Sequence, residues 1–82
     1  MTRKQAEKIA NAIRLVAERD RSAWTMTNIT TMEVAAVLKK PAYEVESALA
    51  SDASAVWSCL PIGWRFGIRG TGIAVSRQPR EG

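Results

Sequence analysis

The sequence predicts an α+β fold: three helices, a short strand after the first helix, and a C-terminal β-hairpin. Three observations point to it. Apolar residues recur at helical spacing near the N-terminus. A capping signal at Thr30 and a proline at position 41 divide the middle of the chain into two short helices. From Ile62 onward, apolar residues alternate with period two until Gly70-Thr71-Gly72 reverses the chain.

The first helix is expected over Arg3 to about Asp20. Thr2 and Gln5 form a capping-box pattern at its start. Ala6, Ile9, Ala10, Ile13, Val16 and Ala17 make one apolar stripe, with Lys4, Lys8, Arg14, Glu18 and Arg19 outside it. Leu15 lies roughly opposite the stripe, as an ordinary exposed leucine or a dimer contact. Ser22 to Thr27 reads as a short strand, because Trp24 and Met26 alternate with Thr25 and Thr27.

The second helix has the clearest start signal. Thr30 and Glu33 form a capping box, and Ile29 and Val34 are placed for a hydrophobic staple. Val34, Val37 and Leu38 are expected to face inward, and Pro41 disfavours a helical Lys40, which ends the helix. The third helix begins at Pro41 or Ala42 and buries Ala42, Val45, Ala48 and Leu49. It turns Tyr43, Ser47, Ala50 and Ser51 outward, with Glu44 and Glu46 on the flanks. It is expected to end by about Ala53. Residues 52–60 stay open, since Ala53, Val56, Trp57 and Leu60 have helical spacing while Val56-Trp57 before Pro61 suits a strand.

Ile62, Trp64, Phe66 and Ile68 form the inward face of the first hairpin strand, and Gly63, Arg65, Gly67 and Arg69 the outward face. Ile73 and Val75 continue on the return strand. Residues 1–77 are expected to form a single domain, with 78–82 a flexible C-terminal tail.

With 82 residues the chain holds one small domain. Cys59 is the single cysteine and there is no histidine, so no internal disulfide and no usual zinc ligand set is expected, and no cofactor. No apolar leader and no run of about 18 apolar residues occurs, which gives the expectation of a cytoplasmic protein without a membrane partner. The net charge is +4, unevenly spread. Residues 1–21 carry six basic and three acidic side chains, residues 22–61 two and four, and residues 62–82 four and one. Basic ends of this kind attract polyanions. An enzyme is not expected. There is no histidine base and no glycine-rich loop leading to Lys-Ser/Thr, and Glu44 and Glu46 diverge on their helix.

Val34, Ala35, Val37, Leu38, Val45 and Leu49, set around the Lys39-Lys40-Pro41 turn, resemble a helix-turn-helix. With the hairpin added, residues 3–77 resemble the winged helix-turn-helix domain of small transcription regulators. The likeness is one of architecture rather than of a residue motif. It implies a DNA-binding protein, with double-stranded DNA as partner. Tyr43 and Ser47 on the third helix would face the bases. Lys39 and Lys40 in the turn, Arg65 and Arg69 on the wing, and Arg77 beyond it would meet phosphates. Each of these charges also has a plainer reading as a solubilising surface group, and Trp57, Trp64 and Phe66 read better as core than as stacking platforms. Glu44 and Glu46 depart from the basic or amide side chains usual on that helix. They support an alternative, in which Tyr43, Glu44, Glu46 and Leu15 serve a protein-interaction module such as a small phage-encoded inhibitor or adaptor. A domain this small makes few DNA contacts, so a homodimer or a protein partner is expected.

Overall fold

The structure, a computed structural model, describes residues 2–78. It is α+β, with three helices and a three-stranded antiparallel sheet. The order is α1 (Arg3–Ala17), β1 (Met26–Thr30), α2 (Thr31–Leu38), α3 (Ala42–Cys59), β2 (Arg65–Arg69) and β3 (Gly72–Ser76). Strand β3 is central, with β1 and β2 on either side. The inner face of the sheet and the apolar faces of the helices share one core, in which Ile13, Val34, Val45, Leu49, Val56, Ile73 and Val75 are fully enclosed.

Helix α1 starts as its capping box dictates: Gln5 N–H donates to the Thr2 hydroxyl, and Thr2 N–H donates to the Gln5 side chain. The whole expected stripe is buried, together with Ala12. The helix ends at Ala17, short of the expected Asp20. Arg19 and Asp20 continue as tight turns on Val16 and Ala17. The Asp20 carboxylate accepts from the Ser22 hydroxyl at 2.7 Å, from Ser22 N–H at 3.0 Å and from the Thr27 hydroxyl at 3.2 Å. Aspartate engaged in such a local turn competes with helix continuation.

The first strand lies further along than expected, at Met26–Thr30 instead of Ser22–Thr27. Trp24 precedes it and is buried, packed edge-on against Trp64 with ring centroids 5.2 Å apart. The alternation that decides the strand is Thr27 and Ile29 on the inner face, paired with Val75 and Ile73. Thr30 closes the strand and caps α2, as its capping box with Glu33 requires. Val34 and Ala35 are buried in α2, while Val37 and Leu38 are half-buried.

Helix α3 also departs from expectation. It continues past Ala53 to Cys59, with a break at Asp52, where φ is −150° and ψ is 51°. Ser51 lies at the break, its hydroxyl bonded back to the carbonyls of Ser47 and Ala48. Such back-bonding bends helices. The helical alternative for residues 52–60 is therefore the observed one: Val56 and Leu60 are buried, and Trp57 donates its indole N–H to Phe66 O at 3.2 Å.

The first hairpin strand starts at Arg65, not Ile62. Pro61 to Gly63 form a turn in which Gly63 takes φ +88°, and the Ile62 side chain is left fully in solvent. The hairpin turns on Gly70 and Thr71 alone, while Gly72 belongs to β3. Gly70 has φ +58° and Thr71 does not share it, the pattern of a II′ turn. Of the expected tail, all but Gln78 lies outside the described residues.

Two measurements test this architecture. Thr30→Ala removes the cap where strand becomes helix, and unfolding by denaturant should show a loss of about 1 kcal/mol; an unchanged midpoint would contradict the cap. The Asp20 bonds, first those from Ser22, hold its carboxyl below the usual carboxylate range. The stability they add is present at neutral pH and is lost as pH falls through the lowered value. Asp20→Asn should therefore flatten the fall in stability between neutral pH and acid. Parallel pH curves for the two proteins would count against this role.

Candidate nucleic-acid interface

A groove of about 450 Å³ runs between the N-terminal halves of α1 and α3. Its floor is apolar, from Ile9, Leu38, Val45 and Ala48. Its rim carries Lys8 and Gln5 from α1, Lys40 from the α2–α3 turn, and Tyr43, Glu44, Ser47 and Ser51 from α3. The structure thus brings together Lys40, Tyr43 and Ser47 among the residues expected to meet DNA.

The geometry follows from local sequence. Pro41 starts α3 with extended backbone, and Tyr43, Ser47 and Ser51 then fall on one exposed face at intervals of four. Tyr43 is 67% exposed at the groove's lip. Lys39, next to Lys40, ends α2 in the left-handed region at φ 56°, ψ 43°, and its N–H donates to Ala36 O at 3.3 Å. Glycine usually fills that position, because a Cβ costs energy there. The α2–α3 turn therefore holds a lysine in a strained backbone and an exposed position.

The two acids of α3 do different things. Glu44 lines the groove and stays exposed. Glu46 is half-buried and turned towards α2, where it accepts a hydrogen bond from the Thr31 hydroxyl at 3.0 Å. Thr31 is the one fully buried polar side chain among the described residues, and Glu46 satisfies it. The exposed face of α3 thus carries one free carboxylate in its first half, not a flanking pair.

The hairpin arginines sit elsewhere. Arg65 and Arg69 project from the outer face of the sheet at the two ends of β2, on either side of Gly67. The hairpin is short, and its tip is held against the start of α2 by a hydrogen bond from Thr31 N–H to Thr71 O at 2.9 Å. Arg77 is half-buried in a structural role. Its guanidinium lies 3.8 Å from the centre of the Trp24 ring, and its Nε donates to Trp24 O at 2.8 Å. Leu15 is 52% exposed, in keeping with its place opposite the stripe.

A second hollow of about 760 Å³ lies beside Trp24, Trp64 and Ile62. Both arginines on its wall are engaged, Arg77 with Trp24 and Arg14 with Glu18. The groove between α1 and α3 is the better candidate, since Lys8 and Lys40 form no ion pair within 4 Å among the described residues.

Sequence reasoning missed Lys8 and Gln5 as site residues. Lys4 and Lys8, four apart beside the apolar stripe, were the available signal. The Thr31–Glu46 bond had no signal, since the two residues lie 15 apart on different helices. No family model, curated protein or solved structure matches this chain. No helix among the described residues is long and apolar enough to cross a membrane.

The strain at Lys39 yields a direct test. Lys39→Gly should raise stability by about 0.5–1 kcal/mol in denaturant unfolding, through relief of the left-handed backbone. A loss of stability would show that the side chain holds the turn.

Proposed function

We propose that the protein is a small winged-helix DNA-binding protein that acts in transcription regulation. What carries this reading is the groove in which Lys8, Lys40, Tyr43 and Ser47 converge on one exposed face, with Glu46 turned away to Thr31. A phosphate backbone laid along this face meets two lysines and hydroxyl donors, which suits positioning contacts. The order helix, strand, two helices, hairpin, with the first strand paired to the last, supports the winged-helix assignment. Arg65 and Arg69 add phosphate affinity from the sheet. Readout of bases is weak, because the exposed face of α3 offers Tyr43, Ser47 and Ser51 and no side chain capable of bidentate pairing.

A protein partner is the second reading, favoured by the apolar floor of the same groove and by the exposed Tyr43. On that reading, an apolar side chain of the partner fills the groove between Ile9 and Val45. The two readings differ in their response to salt.

Fluorescence anisotropy with random duplex DNA across a salt series provides the test. Binding should fall steeply with salt, and Lys8→Ala/Lys40→Ala should reduce the log–log slope by about 2. Arg65→Ala/Arg69→Ala should weaken binding and flatten the slope as well. Glu44→Gln should tighten it. Absence of duplex binding by the wild type at low salt would overturn the DNA reading and favour the protein partner.

A further inference from the structure

The two edges of the sheet are built differently, and the difference starts with which backbone groups point outward. In an antiparallel ladder, alternate residues of an edge strand aim their N–H and C=O at the neighbour, and the others aim them away. Arg77 N–H donates to Thr25 O and Thr31 N–H to Thr71 O, both at 2.9 Å and both in the register of the β1–β3 pairing. Thr25, Thr27, Ile29 and Thr31 therefore bond towards β3. Met26, Asn28 and Thr30 present their backbone groups to the open side.

Thr30 is already engaged there, its N–H bonded to the Glu33 carboxylate at 3.1 Å. Met26 and Asn28 are not. No hydrogen bond outside the sheet reaches their backbone groups among the described residues. Both side chains are exposed, Met26 at 64%. The strand reads Met-Thr-Asn-Ile-Thr and carries no charge.

The opposite edge is defended. β2 carries Arg65 and Arg69, and its outward Phe66 carbonyl is occupied by the Trp57 indole N–H. Charges and capping groups of this kind block strand addition. At Met26 and Asn28 the β1 edge has no charged side chain of its own and no group bonded to its outward backbone among the described residues.

We propose that β1 is a homodimerisation edge: two copies join antiparallel through it, about a two-fold axis at Thr27. Met26 of each copy then faces the partner's Asn28. In this register the outward N–H and C=O of Met26 bond to those of the partner's Asn28, and the reverse pair does the same. All four outward groups of each copy are used, and the Thr30 cap is left intact. Thr27 meets the partner's Thr27 in the closely spaced, non-bonded position, a favourable cross-strand pair. No charged strand residues face one another; the nearest charge to the axis is Asp20 of each copy, whose carboxylate accepts from that copy's Thr27 hydroxyl at 3.2 Å. The contact is isologous, with one patch serving both copies. The junction is short of the roughly 1,200 Å² of a stable interface, so the dimer is weak and depends on concentration. It uses neither the α1–α3 groove nor the hairpin arginines, and it stands apart from the DNA reading.

Sedimentation of the wild type from about 10 µM to about 1 mM should show monomer passing into dimer. Amide signals of Met26 and Asn28 should shift with concentration, those of Phe66 and Ile68 should not. Met26→Lys/Asn28→Lys sets like charges opposite one another and should weaken association at least about ten-fold. Mixing it with Met26→Glu/Asn28→Glu should restore a dimer, which also shows that the charged variants remain folded. The proposal is overturned by a wild type that stays monomeric at the highest concentration. It is equally overturned if the lysine variant associates like the wild type, or if the charge-swapped mixture fails to recover.

Discussion

The fold turns on the junction at Thr30 and Thr31, where a strand becomes a helix without an intervening loop. Thr30 is at once the last residue of β1 and the cap of α2. Thr31 sends its backbone N–H to the hairpin turn and its hydroxyl to Glu46 of α3. Two adjacent threonines therefore link the sheet, both central helices and the hairpin. The groove depends on this link. If α2 were rotated relative to the sheet, Lys40 would leave the side of α3 on which Tyr43 and Ser47 lie.

The junction also redirects a carboxylate. Glu44 and Glu46 share one helix but not one role. Glu46 accepts from the buried Thr31 hydroxyl, and a buried donor left without a partner would cost its full desolvation penalty. The hairpin makes a similar exchange. Arg77 is engaged with Trp24 and holds the end of β3 against the segment before β1, so among the described residues Arg65 and Arg69 are the guanidinium groups of the sheet without an ion pair.

Much of this architecture was legible in the residues. Thr30 with Glu33, Pro41, and the strand around Phe66 are local signals, and local chemistry decides them, although Ile68, expected inward, is 40% exposed next to the hairpin turn. The errors arose where distant contacts overrule local pattern. Trp24 and Met26 alternate like a strand, but Trp24 is drawn to Trp64 and Arg77, and the ladder starts later. Residues beyond Asp52 were ambiguous because a serine bonded back into its own helix bends α3 without ending it. Ile62 has the right spacing for a strand, yet Gly63 takes a positive φ that a regular strand does not have. In the site, Tyr43, Ser47 and Lys40 could be placed on one surface from helical spacing alone. Lys8 could not, since its place beside them depends on how two helices pack.

The break at Asp52 has a consequence for how α3 is held. It divides α3 into two straight segments that meet at an angle. The forward segment lies against α1 and α2, while the rear segment is fastened to the sheet through Trp57 and Phe66. The position of Tyr43 and that of Trp57 are therefore set by different neighbours. One helix thus serves two supports, its front bounding the groove and its rear bracing the sheet.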